Sequence, residues 1–206
     1  MSELALLGEG SLLALSGIGR AAAAAAAQAL VDAGASSLMT FGMAGGLDPN
    51  LKPGSVVIPG EVLLAEGGRY TTSRAWREQV AAAISPLCAV SEGNLLTSTH
   101  AIETPAEKAA AFRDTGAAAV DMESAAVAEI AAKHHLPFIA VRVIVDTATD
   151  VLPRAVVAAS RLGRVRFGRL IGGLILAPRE IVGLIRLAQR YRIAMRSLHA
   201  IGAHLA

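Results

Sequence analysis

The sequence predicts an α/β protein: a three-layer α/β/α sandwich, with helices over both faces of a central sheet and a helical extension at the C-terminus. Three observations predict it. Strand-like aliphatic segments alternate with helix-like segments up to about residue 145, the pattern of a sheet whose connections are helices. Hydrophobic residues make up 53% of the chain and aromatics 3%, so the core must be filled by Ala, Val, Leu and Ile, as in sheets covered on both faces. A length of 206 residues suits one compact domain with an appendage.

The elements follow in order. SLLALSGIGR reads as a short buried strand and a glycine turn, Ser16-Gly17-Ile18-Gly19. AAAAAAAQALVDAGA is a helix ending near Gly34, its alanines favouring helix and close packing on a sheet. SSLMTFGMAGGLDP reads as a second strand running into a second glycine turn, Gly42-Met43-Ala44-Gly45-Gly46. KPGSVVIPGEVLLAEGG continues the strand pattern between Pro and Gly punctuation. Residues 73–86 are predicted helical, and EGNLLTSTH is predicted as strand and loop. TPAEKAAAFRDTG is a helix with Thr104 as N-cap, Pro105 at its first position and Gly116 at its end. Residues 119–146, AVDMESAAVAEIAAKHHLPFIAVRVIVD, join a helix with acids at its head to a dry strand that ends on Asp146. No internal repeat or low-complexity linker interrupts the chain.

Charge divides the chain. Up to residue 153 there are 9 Lys/Arg and 16 Asp/Glu, a balance of −7; residues 154–206 hold 10 Arg against Glu180 alone, a balance of +9, which together give the net +2. The expected organisation is therefore an α/β domain over 1–153 and an Arg-rich amphipathic helical extension over 154–206. From 178 onward Ile181, Leu184, Ile185, Ala188, Tyr191, Met195 and Leu198 recur at helical spacing. Arg179, Arg186 and Arg190 lie opposite, while Arg192 breaks the pattern. Such a helix can pack on its own domain or a second subunit, or it can lie on a membrane surface where arginines meet anionic headgroups. Few aromatics and no recognised motif argue against nucleic acid.

Cys88 is the single cysteine, which leaves no internal disulfide or cysteine-based metal cage and points to a cytoplasmic protein. The apolar N-terminus has no basic leader and carries Glu3 and Glu9, unlike a signal peptide. No apolar run reaches the roughly 18 to 20 residues a spanning helix needs. No His/Asp/Glu spacing forms a metal site, and no cofactor is implied.

Two acids carry the sharpest chemistry. Asp146 emerges from a dry strand into a loop, where desolvation raises a carboxyl toward a usable general acid; the alternatives are a cap or a partner for Arg142. Glu123 begins a helix, where it suits either a ligand or the helix dipole. His134 and His135 end that helix and read as caps, and His100 sits in a loop.

Three segments resemble one family in order and spacing: SGIGR, GMAGGLDPNLKPGSVVIP and VDMESAAVAEIAAKHHLPFIAVRVIVD. The family is that of nucleoside phosphorylases and methylthioadenosine/S-adenosylhomocysteine nucleosidases, and the match covers about residues 11 to 150. The tail RFGRLIGGLILAPREIVGLIRLAQRYR resembles the hopanoid-associated branch that removes adenine from adenosylhopane. The resemblance implies a mixed central sheet and a homo-oligomer. Its implied substrate is a small-molecule or lipid-linked purine nucleoside, cleaved by water or by phosphate as co-substrate.

The resemblance also implies roles. Asp146 takes the place of the general acid at purine N7, Glu123 that of the carboxylate on the ribose hydroxyls, and Met122 that of the methionine against the sugar. Met43, Ala44 and Gly45 line the ribose and nucleophile side, while Thr99, His100 and Ile102 hold the base. Asp121 stands within the same motif and is grouped with them, although by itself it reads as structural. Met43 stands where many relatives have serine, and Val145 replaces a hydroxyl beside the acid. The family's first strand and water-activating acid have no counterpart matched in this sequence. Two other expectations stay open: cleavage of small nucleosides such as methylthioadenosine or inosine, and a silent nucleoside- or lipid-binding protein.

Overall fold

The computed structural model describes residues 12–17, 19–152 and 178–205, with side chains of the last helix described from 186. Expectations for Glu3, Glu9, Ile18, the 153/154 boundary and the side chains of Arg179, Ile181, Leu184 and Ile185 lie outside the described residues.

Eight strands form one mixed sheet: β1 Leu38–Gly46, β2 Val56–Val57, β3 Glu61–Leu64, β4 Arg69–Thr71, β5 Val90–Ser91, β6 Leu95–Thr97, β7 Ala119–Asp121 and β8 Phe138–Asp146. Their order is β4-β3-β6-β7-β1-β8-β2-β5. The long central pair, β1 and β8, runs parallel, and β7 lies antiparallel on the other side of β1.

Helices α1 Arg20–Asp32 and α4 Ser124–Lys133 cover one face. Their alanines pack with Leu38, Val57, Val62 and Ile144 of the sheet, small side chains letting the helices sit close. On the other face α2 Arg74–Ile84 and the 28-residue α5 Pro178–Leu205 cover Val56, Ile139, Val141 and Val143. Helix α3 Pro105–Thr115 closes one end over Leu47, Leu96 and Val120. The expected three-layer sandwich is thus the observed one.

Helix α3 forms as its sequence dictates. The Thr104 side chain accepts from the Glu107 amide, Glu107 reaches back to the Thr104 amide, and Gly116 closes the helix with φ 66°. That capping box satisfies two end donors reciprocally, and glycine takes the left-handed terminus without a Cβ clash.

Three expectations change. Residues 12–17 form no strand, and Leu12, Leu13 and Leu15 are about half exposed (48, 45 and 51%). Both edges of β1 are already taken by β7 and β8, so this aliphatic segment has no ladder to join there. Residues 42–46 are strand rather than turn, and none of Gly42, Gly45 and Gly46 has positive φ. The inward stripe of α5 is as expected only in part: Met195 and Leu198 pack inward and are joined by Ala194 and Ile201, whereas Ala188 is exposed, Tyr191 is 49% exposed and Arg190 turns in to pair with Asp150. No helix among the described residues is long and apolar enough to cross a membrane.

The docking of α5 is testable. Ile201→Ala should cost about 2–5 kcal/mol in urea unfolding, the range for deleting a buried Ile side chain. Tyr191→Ala should stay within about 0.5 kcal/mol, as for an exposed position. Equal losses at the two positions would contradict the packing.

Candidate active site

The middle of the sheet is organised by an arginine that crosses a strand. Arg142 on β8 stands in register with Gly42 on β1, and β7 lies beyond β1. Its guanidinium passes over Gly42, where an added Cβ would meet the Arg142 Nη1 at 3.2 Å. On the far side Nε donates to Asp121 Oδ2 at 2.8 Å, and Nη2 donates to Thr40 Oγ1 (2.6 Å) and Ser124 Oγ (2.9 Å). Asp121 also accepts from Thr97 Oγ1 (2.8 Å) and from the Ser124 amide (3.1 Å). A buried charge pair is tolerated only when its remaining hydrogen-bonding positions are filled, and here they are.

That network gives Asp121 a structural engagement beside its expected place among the substrate ligands. Asp121 borders the cavity described below, but its oxygens are committed to Arg142, Thr97 and the N-terminus of α4. It also settles that Arg142 pairs with Asp121, not Asp146.

Asp146 has a different partner. Lys108, on α3, is fully buried, and its ammonium donates to Asp146 Oδ2 and to the Thr147 carbonyl at 2.8 Å. Lys108 meets Asp146 through Oδ2, and the residue also lines the cavity described below. Burial pushes the Asp146 carboxyl above the usual range, against the opposing pull of Lys108 and of the more distant Arg190. Desolvation penalises the charged form, and the two cations favour it.

The strand ending positions this acid. Between Ala44↔Ile144 and Gly45↔Asp146 the register slips by one residue, leaving Val145 unmatched. A bulge of this kind re-aims the side chains that follow. It brings Gly45 against the acid: a Cβ at 45 would lie 3.3 Å from Asp146 Oδ2 and 3.4 Å from Oδ1. Glycine is the residue that leaves room there.

Around Asp146 lies a cavity of about 140 Å³. Gly45, His100, Ile102 and Met122 line it, together with Ala101, Val120 and Leu152. Five of the expected site residues therefore share one cavity with Asp146: Gly45, His100, Ile102, Met122 and the structurally engaged Asp121.

Others do not reach it. Met43 packs into the core beneath α2 and α5, and Val145 packs there too, so neither side chain faces the cavity. Ala44 is buried in the core under α1 and α4. Thr99 is exposed, its hydroxyl 3.3 Å from His100 Nδ1.

Glu123 occupies the N-cap position of α4, half buried, with Oε1 accepting the Gly19 amide at 2.9 Å. Burial raises its carboxyl above the usual range, partly offset by the backbone amides of Gly19 and Met122. It thus bridges the glycine turn before α1 to the segment carrying Met122. His134 caps α4 as expected and meets Gln28 of α1 at 3.1 Å.

Lys108 is the site residue that sequence reasoning missed. Its signal was available: Ala111 and Phe112, three and four residues on, pack inward, so position 108 lies on the inward face of α3. A lysine there demands a buried acid. Among the described residues no three His, Cys, Asp or Glu side chains converge as a metal site.

Comparison with known proteins bears on the fold and the family. A profile of the Phosphorylase superfamily matches residues 5–175. A candidate methylthioadenosine nucleosidase from Weissella paramesenteroides superposes with TM-score 0.60 at 24% identity, over 65% of each chain. The present chain therefore spans slightly less than two thirds of that protein's length. A methylthioadenosine/S-adenosylhomocysteine nucleosidase from Colwellia psychrerythraea, solved with adenine, gives TM-score 0.58 at 26% identity, over 65% of this chain and 64% of that one. A futalosine hydrolase mutant from Helicobacter pylori gives TM-score 0.58 at 19% identity, over 63% of this chain and 67% of its own.

Breaking one partner of the central pair exposes its role. Arg142→Gln should cost about 3–5 kcal/mol in chemical unfolding, because it strands a buried carboxylate. Adding Asp121→Asn to that variant should recover part of the loss; strictly additive costs would show that the two side chains act independently.

Proposed function

The chain belongs to the Phosphorylase superfamily, and from that premise we propose that it cleaves the N-glycosidic bond of a purine nucleoside, with Asp146 as the acid that meets the departing base. The observation that carries this reading is a buried carboxyl group that lines a cavity at the end of a central strand and is backed by a buried ammonium.

The chemistry uses what the site offers. As the C1′–N9 bond breaks, its electron pair passes into the purine and the Asp146 proton passes to N7. The sugar meanwhile gains oxocarbenium character, and C1′ is closed either by an oxygen of phosphate or by the oxygen of water, whose surplus proton passes to solvent. Fixed negative charge near the sugar and a proton donor at the base lower this barrier. Glu123, with one oxygen held by the Gly19 amide, offers the other to ribose hydroxyls. Met122 packs on the sugar, and His100 and Ile102 border the base. Lys108 fixes one oxygen of Asp146 and so orients the other.

Adenine is the favoured leaving base: the Colwellia nucleosidase was solved with adenine bound. The tail's resemblance to the hopanoid-associated branch favours a 5′-substituted, lipid-linked adenosine such as adenosylhopane. Free base is to be measured from adenosylhopane, methylthioadenosine, futalosine and inosine, each with and without phosphate. Faster release from inosine than from every adenosine would overturn the adenine assignment. Asp146→Asn should lower release by about 10²- to 10⁴-fold, the usual contribution of a positioned acid, with circular dichroism unchanged. Turnover near that of the native chain in this variant would sink the role given to Asp146.

A further inference from the structure

The loop that follows Asp146 is held from two sides. Thr147 donates to Asp150 Oδ2 from both its amide and its hydroxyl, each at 2.8 Å. Asp150 Oδ2 pairs in turn with Arg190 of α5. The Thr147 carbonyl accepts from Lys108 Nζ at 2.8 Å and from the Asp150 amide at 3.0 Å. The Leu152 amide donates to the Glu103 carbonyl at 2.9 Å, just before α3 begins. Helix α3 at the end of the sheet and helix α5 on its face thus meet through the few residues after the acid. The four charged side chains along this route are well covered, at 1% for Lys108, 5% for Asp146, 14% for Asp150 and 22% for Arg190, so solvent screens them little.

We propose that Lys108 and Arg190 are positioning residues for the Asp146 carboxyl group, connected through Thr147 and Asp150, so that α5 serves the active site and not only the core. The inference rests on reading Asp146 as the acid. Thr147 is bonded directly to Asp146, so whatever fixes its amide and carbonyl fixes the backbone that aims the carboxyl. Without Arg190, Asp150 loses the cation that holds it under Thr147. Thr147 can then turn, and Lys108 loses one of its two acceptors.

The charged and titratable groups facing Asp146 are Lys108 from α3, Arg190 from α5, Asp121 from β7 and His100 from the loop before α3. The two cations favour the carboxylate and burial favours the acid. Removing a cation therefore moves the pH at which the acid loses its proton upward.

The direct test is the ¹³Cγ titration of Asp146 in the full chain, which needs no substrate, with base release from methylthioadenosine against pH as the second readout. Lys108→Met should move the Asp146 titration, and the alkaline limb of kcat/KM, upward by about one unit or more, the scale of losing an adjacent opposite charge. Arg190→Gln should move both in the same direction by less and lower kcat about tenfold or more with little change in KM, as misorientation does. Arg190→Lys, which keeps the charge, should restore most of the effect. If Lys108→Met does not fold, Arg190→Gln carries the test alone, since its pair lies nearer the surface. An Asp146→Asn variant that retains turnover refutes the acid assignment itself. An inactive Asp146→Asn alongside an Arg190→Gln chain with unchanged ¹³Cγ titration and pH limb refutes only the route from α5.

Discussion

The arrangement depends on one guanidinium that spans a strand. Arg142 starts on β8, crosses β1 at Gly42 and ends on Asp121 of β7, so one side chain ties three adjacent strands. Through the Ser124 hydroxyl, and through Asp121 to the Ser124 amide, the same network seats the first turn of α4. Met122 and Glu123 lie between Asp121 and that turn. Their backbone is therefore fixed from both ends before any ligand arrives, which is the preorganisation a site needs. A polar network at the centre of an aliphatic sheet is costly unless it is saturated, and this one is filled by Thr40, Thr97, Ser124 and the backbone.

The second buried pair contrasts with it. Asp121 has its oxygens occupied by side chains and the start of α4, whereas Asp146 has one side-chain partner, Lys108 on Oδ2, and lines a cavity. Both acids sit near the ends of their strands, and both have cationic partners. What separates scaffold from chemistry is this difference in saturation, produced on β8 by one unmatched residue and on β1 by the absence of a side chain at 45.

Much of this was legible in the sequence where local rules decide the outcome. Thr104, Pro105 and Gly116 announced α3 because caps and a left-handed terminus are settled within a few residues. The alternation of strand and helix announced three layers. Asp121 read as structural on its own, and its oxygens are engaged by Arg142, Thr97 and the start of α4. Long-range pairing was not legible. The glycines at 42 and 45 resembled a turn because nothing nearby in the chain reveals that a side chain from a hundred residues away must pass over them. Leu12 to Leu15 looked like a strand because aliphatic composition says nothing about whether an edge is free. Hydrophobicity alone placed Met195 and Leu198 of α5 correctly but also Ala188 and Tyr191, which are exposed because the sheet beneath chooses the inward face.

Gly42 carries a consequence for how such chains diverge. An arginine at 142 requires a strand neighbour with no side chain and an acid waiting beyond it, so none of the three positions is free to drift alone. A lineage that replaced Arg142 with an aliphatic residue would release position 42 to accept a methyl group and position 121 to lose its charge. The three should therefore be inherited as a linked set, although 42 and 121 lie on different strands and a glycine makes no contact that a list of interactions would record.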